Sequence, residues 1–217
     1  MQISLDTFII SDTHFGHKHV LVKEPLRVIT LNNTHYKSFD DLSLNWWNEV
    51  VSVNDSVLHL GDLYFGDGDS ILPKLNGEKM LVVGNNDMGK YQKLKDWRVI
   101  KKIKFKIPEK DMLKKAMKKK WGDELKNPYA TGLIVDVNNV RIMFSHFPVG
   151  ERKRNDKYHK ARDIIDYAFS LAKCEVNIHG HIHSRDSVQD YCINASTERL
   201  SFRPKRLRDI LSSWAHF

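Results

Sequence analysis

Cysteine is nearly absent. Cys174 and Cys192 are the only two in 217 residues, far too few for the disulfide framework of a small secreted domain. No apolar run approaches the ~18 residues that a membrane-spanning helix needs, so no membrane partner is expected. Residues 1–10 carry Asp6 and no basic start, unlike a secretory signal. A reducing, cytoplasmic setting is the expectation. Internal repeats are missing, and so are low-complexity stretches outside one lysine-rich window. With 41% hydrophobic and 29% charged residues, the chain is not a disordered polymer. Its length suits one domain, residues 1–217, with a core of its own.

Acidic residues are the minority charge, 27 against 35 Lys plus Arg, for a net +8. The excess is local. Residues 101–126 hold eleven lysines and four acids, a surplus of +7 that leaves +1 for the rest of the chain. Smaller basic clusters lie at 152–162 and 203–208. A lysine run can be a solvated face or a contact for the phosphate backbone of nucleic acid. The sequence leaves both open.

Hydrophobic patterning divides the chain into short strands and a few helices. Strands are expected at 5–11, 57–60 and 79–83, from their β-branched and apolar content. Residues 133–145 read as a hairpin around Asn138-Asn139, because asparagine tolerates the positive φ of a two-residue turn. Further strands are expected at 175–178, 188–195 and 199–202. A helix at 38–52 carries Leu42, Trp46 and Val50 at helical spacing, and Ser38 with Asp41 resembles a capping box. A helix at 156–173 puts Ala161, Ile164, Ile165 and Ala168 on one face, and a last helix follows Pro204. The pattern is that of an α/β fold. The stretch from Asp87 to His146 is longer than a strand–helix–strand return needs. Residues 108–129 therefore read as a basic insertion, with a helix or lid at 109–121.

The polar residues fall where the strands stop. Asp12-Thr13-His14, Gly61-Asp62, Gly84-Asn85-Asn86-Asp87, Ser145-His146 and Gly180-His181-Ile182-His183 each end an expected strand. Ligand sites of α/β proteins are built at such carboxyl ends. Carboxylate, amide and imidazole donors suit Mn, Fe, Zn or Ni better than soft, thiolate-seeking metals. In extended chain His181 and His183 share a face, and His179 shares their parity. Any one such triplet arises readily by chance. Five in succession do not.

As a set they resemble the calcineurin-like metallophosphoesterase superfamily, whose blocks are Asp-X-His, Gly-Asp, Gly-Asn-His-Asp, a Gly- or Ser-preceded His, and Gly-His-X-His. Small bacterial and phage members are the closer resemblance. They begin Ser-Asp-X-His-Phe-Gly-His, as residues 11–17 do here. They also carry features echoed by Trp47-Asn48, by residues 59–62 and by residues 194–198. The resemblance implies a four-layer α/β/β/α sandwich with two divalent metal ions, Mn2+ first and Fe, Zn, Ni or Mg compatible. Asp12, His14, Asp62 and His183 would hold one ion. Asp62 as bridge, Asn85, His146 and His181 would hold the other.

Such a centre activates a bridging hydroxide for in-line attack on a phosphate ester. The implied partner is a phosphate-ester substrate, nucleotides included, with Arg152, Lys153 and Arg154 as candidate phosphate contacts. One position departs from the family. Asn86 stands where a histidine resembles a general acid, and loss of such an acid costs ~10²–10⁴-fold. Either phosphodiesters and acidic leaving groups are favoured over monoesters, or His17 supplies the proton. Asp87 would position Asn86 or a ligand. A nuclease or end-processing enzyme drawing on the 101–126 charge is the second function, and a non-catalytic binding module the third. His59 is expected beneath the site, and the oligomeric state is not written in the sequence.

Overall fold

The computed structural model describes residues 2–151, 155–212 and 214. Ten strands form two five-stranded, mainly parallel sheets flanked by helices, a mixed α/β architecture. In the first sheet, β1 (Phe8–Ile10), β2 (Ser56–His59), β3 (Glu78–Val82) and β4 (Trp97–Ile100) run parallel. The short β10 (Lys205–Arg206) closes the β1 edge antiparallel. The second sheet has the order β5 (Ile103–Lys106), β6 (Gly132–Val137), β7 (Val140–Ser145), β8 (Val176–His179), β9 (Cys192–Asn194). Only the β6–β7 pair in it is antiparallel.

Period-two alternation decides which way the second sheet faces. Leu133, Val135 and Val137 join residues of the first sheet in one large cluster. Ile134, between them, joins Phe105, Met143 and the apolar stripe of α5 (His159–Leu171). The two sheets thus bury a common core, and α5 covers the second sheet's other face. The β6–β7 turn is the one expected, with Asn138 at φ 50° and Asn139 at φ 65°. Helix α3 (Phe39–Val50) starts at the expected cap, Ser38 accepting from the Asp41 amide at 3.1 Å.

Three expectations change. Residues 199–202 form turns rather than a strand, with Ser201 and Phe202 at positive φ, 55° and 62°. Two helices not read from the sequence, α1 (Val20–Lys23) and α2 (Pro25–Asn32), follow the first motif. The basic segment read as a helix or lid forms a helix, α4 (Lys110–Trp121). It lies in the crossover that parallel strands β5 and β6 require, with Leu113 and Met117 buried in the cluster that holds α5. The remaining helix, α6 (Leu207–Leu211), follows β10. Among the described residues no helix is long and apolar enough to cross a membrane.

Candidate metal centre

Parallel registry lines up the strand ends. Ile10 pairs with His59 and His59 with Leu81 in the first sheet, and Ser145 pairs with His179 in the second. The loops that follow carry all seven candidate ligands to one edge. The sheets are tied together there by a bridge between Ser11 and Ser196 and by the Thr131 hydroxyl donating to the Val83 carbonyl at 2.7 Å.

The loops turn sharply. Asp12, His14, Asp62, His181 and His183, five of the seven, have φ between 53° and 71°. The left-handed region costs a non-glycine residue ~1–3 kcal/mol and persists where surroundings over-determine it. Close backbone approach accompanies it. A Cβ on Gly61 would stand 2.6 Å from the Gly84 Cα and 2.7 Å from His146 Nδ1, and one on Gly180 would run into Ser11 and Asp12.

The donors converge around Asp62. Its Oδ2 lies 3.7 Å from His14 Nε2, and its Oδ1 lies 3.5 Å from His146 Nε2. Asp12 Oδ1 is 3.8 Å from His14 Nε2 and 3.9 Å from His183 Nε2. On the other side, Asn85 Oδ1 and His181 Nδ1 are 3.0 and 3.2 Å from His146 Nε2. Asp12, His14, Asp62 and His146 are buried, while Asn85, His181 and His183 are partly open. Asp12 Oδ1 and His14 Nε2 are buried atoms with no hydrogen-bond partner. A buried polar atom left so is costly unless something coordinates it, and oxygen and imidazole donors aimed inward are what a divalent cation takes. Asp12, His14 and His183, and likewise Asp12, Asp62 and His146, group tightly enough to hold an ion.

Most of the candidate ligands are oriented by further side chains or backbone groups. Asp12 Oδ2 accepts from the His181 amide at 2.8 Å and from the Ser196 hydroxyl at 3.1 Å. His146 Nδ1 meets the Leu60 carbonyl at 2.9 Å, which leaves Nε2 for the centre. Asp87 ties two loops together: Oδ2 accepts from the Asp62 and Gly84 amides at 2.8 and 2.7 Å, and Oδ1 from the Leu63 amide at 2.9 Å. Asn86 turns onto the Asp62 carboxylate, its side-chain amide donating at 2.6 Å and its backbone amide at 2.9 Å. His17 Nδ1 lies 3.0 Å from His14 Nδ1, and its ring stacks on Phe65 at 3.9 Å. Burial, then the neighbouring charge of His14, pushes His17 down to about 4. So shifted, the ring is uncharged at neutral pH, and one of the two facing Nδ1 atoms donates to the other.

His59 is fully buried beneath the site, between the Gly61 amide at 3.1 Å and the Thr13 hydroxyl at 3.0 Å. His179 is also buried, its two ring nitrogens meeting the Gly180 carbonyl and the Ser187 hydroxyl, each at 2.8 Å. Arg152, Lys153 and Arg154 lie outside the described residues.

Sequence reasoning missed a buried, fully bonded group beside the site, Arg27. It is fully buried on α2, whereas its neighbours Leu26 and Val28 are exposed. Its guanidinium donates to the Thr13 and Asp12 carbonyls at 3.0 and 2.7 Å and to Glu198 Oε1 at 2.7 and 2.5 Å. The same Glu198 oxygen lies 3.1 Å from His183 Nδ1. Burial alone would lower His183, but Glu198 and Asp12 outweigh it and raise it to about 9. Burial would likewise raise Asp12, yet the adjacent His14 ring and the charges of His183 and His146 hold it well below the usual 3.8. An arginine amid apolar residues is the only signal the sequence carries of this clamp.

No family model and no curated protein matches the chain. Among solved structures it is similar to a protein of unknown function from Aquifex aeolicus, at 24% identity and a TM-score of 0.66. The match covers 95% of this chain and 97% of that one, and the likeness is one of fold. A conserved uncharacterized protein from Streptococcus pneumoniae, a predicted phosphoesterase, matches at 12% identity over 88% of this chain and 70% of that one. Its TM-score is 0.32, too low to carry an argument.

Proposed function

We propose that the chain is a calcineurin-like metallophosphoesterase, a four-layer α/β/β/α sandwich that hydrolyses phosphate esters with two divalent ions, manganese first among them. The observation that carries this reading is Asp62, whose two oxygens face two separate donor sets at 3.7 and 3.5 Å. Asp12, His14, Asp62 and His183 would hold one ion, and Asp62, Asn85, His146 and His181 the other. Two such ions supply Lewis-acid stabilisation of phosphoryl charge and a nucleophile from water at neutral pH.

The chain's own residues do the rest. Neutral imidazoles complete the donor sets without adding negative charge that would repel phosphate. His17 accepts the Nδ1 proton of His14 and turns His14 Nε2 inward. Glu198 does the same for His183, an outer contact of the kind that fixes tautomer and ring orientation. Asp87 holds the loops of Asp62 and Asn85 at a fixed separation. Asn86 engages Asp62 through its amide and has no acidic proton for a leaving alkoxide. Phosphodiesters and esters of acidic alcohols are therefore the favoured substrates over alkyl monoesters.

The test is manganese-loaded protein on an aryl phosphodiester and the matching aryl monoester, with metal content measured and Asp62→Asn as control. We expect diester turnover that is abolished by chelation and restored by metal. Two bound ions with no turnover of either ester would overturn the reading.

A further inference from the structure

The lysine-rich segment forms more than a charged face. Lys101, Lys102, Lys114, Lys118 and Lys126 rim a groove of about 920 Å3 whose floor includes Phe105, Met117 and Ile164. All five lysines are exposed, and the floor is apolar and largely buried. Lys114 and Lys126 are partly offset by Asp111 at 3.4 Å and Asp123 at 2.7 Å. Lys101, Lys102 and Lys118 have no acidic partner within ion-pair distance among the described residues; Lys101 lies over the Tyr91 ring at 5.1 Å.

Two of the groove's lining residues, Lys101 and Ala130, adjoin residues bonded to the end of β3. Lys101 follows Ile100, the last residue of β4, whose carbonyl accepts from the Val83 amide at 3.1 Å. Val83 stands two residues before Asn85, and its own carbonyl takes the hydroxyl of Thr131, the neighbour of the groove residue Ala130. The wall of the groove at Lys101 and Ala130 is thus hydrogen-bonded through its neighbours to the strand end that carries Asn85.

We propose that this groove binds the phosphodiester backbone of a single-stranded oligonucleotide and makes such strands the substrate class of the metal centre. The proposal rests on the phosphoesterase reading above. Cationic rims with an apolar floor match a polymer that has phosphates on one side and flat bases on the other. Duplex would hide its bases from that floor. In the reaction the oxygen of water bonds to phosphorus and the bridging P–O bond breaks. The released hydroxyl takes up one proton and solvent the other.

The test uses a fluorescein-labelled twelve-nucleotide single strand, with anisotropy read in EDTA over a salt series, and the same strand with manganese for cleavage. Wild-type protein is compared with the triple variant Lys101→Glu/Lys102→Glu/Lys118→Glu and with a charge-matched control, Lys74→Glu/Lys95→Glu/Lys205→Glu, outside the groove. Removing one lysine–phosphate pair lowers the log–log salt slope by about 0.7. The groove variant should therefore drop by about 2 in slope and at least ~10-fold in affinity at low salt, and the control should keep both. Equal weakening in both variants, no weakening in the first, or equal competition by poly-glutamate and oligonucleotide would overturn the groove. Intact groove-dependent binding without cleavage, in protein that turns over the small diester, would overturn the substrate assignment alone. Failure on the small diester with binding preserved would count against the proposed reaction and not against the groove.

Discussion

The two sheets bring unlike chemistry to one edge. Loops of the first sheet carry Asp12, His14, Asp62 and Asn85, a mostly oxygen-donor set that includes every carboxylate. Loops of the second carry His146, His181 and His183, imidazoles only. Orientation runs the opposite way. Asp12, from the first sheet, is held by the His181 amide and Ser196 from the second side. His146, from the second, is held by the Leu60 carbonyl of the first. For Asp12 and His146, then, the partners that aim a candidate ligand come from the opposite sheet. Asp12 and His181, both at positive φ, are joined by the cross-sheet bond between the His181 amide and Asp12, so tertiary contact holds there what local propensity opposes.

The largest expected effect breaks the comparison at its hub. Asp62→Asn removes one shared carboxylate charge from both donor sets. It should lower metal stoichiometry as well as turnover, by more than the ~10–100-fold that loss of an orienting partner costs. Inductively coupled plasma analysis beside kinetics would check this. His146→Ala, in contrast, should spare the ion held by Asp12, and one retained ion per chain would support the two-set division.

Next comes the cross-sheet clamp. Arg27→Met leaves Glu198 buried without its cation, and breaking a buried pair in that way costs ~3–5 kcal/mol. Metal affinity should fall by ~10–100-fold through loss of His183 and Asp12 orientation. Urea denaturation of the metal-free protein and manganese titration measure the two separately. A stability loss with unchanged affinity would show the clamp to be structural only.

Asn86→His tests the substrate preference. A protonatable ring there should raise monoester over diester turnover by at least ~10-fold, part of the range general acids contribute. An unchanged ratio would detach the preference from this position.

The smallest effect is on pH. In the metal-free protein His59 is pushed to about 3 and His179 to about 4 by burial, against an ordinary 6.5. The unfolded chain then binds more protons, so their contribution is present above pH 6.5 and falls as pH drops toward 4 and 3. His183, raised to about 9, has the opposite sign: its contribution is full below 6.5 and lost as pH rises through 9. Thermal melts in EDTA should therefore peak between these limbs. Bound metal should flatten the alkaline limb, because an imidazole ligand has already released its proton.

Much of this was legible in the sequence. Apolar strands ending in Asp, Asn and His marked the five loops that meet, since a strand's end and its loop are neighbours in the chain; the seven candidate ligands within them came from the family resemblance. Asn138-Asn139 announced its turn because the requirement, positive φ at two successive residues, is local. Ser38 announced its helix for the same reason. Residues 199–202 misled: apolar and aromatic content says that side chains are buried, and Leu200 and Phe202 are buried, but in a turn. The 101–126 segment showed its charge and hid its role, because a crossover helix is defined by the strands it joins.

The sequence by itself determined which residue types stand at which strand ends, and how much charge the β5–α4–β6 segment carries. Tertiary structure decided the rest. Arg27 and Glu198 are 171 residues apart, and no local pattern links them. Asp87 became a tie between loops, His17 a hydrogen-bond partner of His14, and the lysines the rim of a groove only when two sheets closed over one core. The physical reason is reach: propensity and periodicity act over a few residues, whereas a metal centre is specified by atoms within ~4 Å, whatever their separation along the chain.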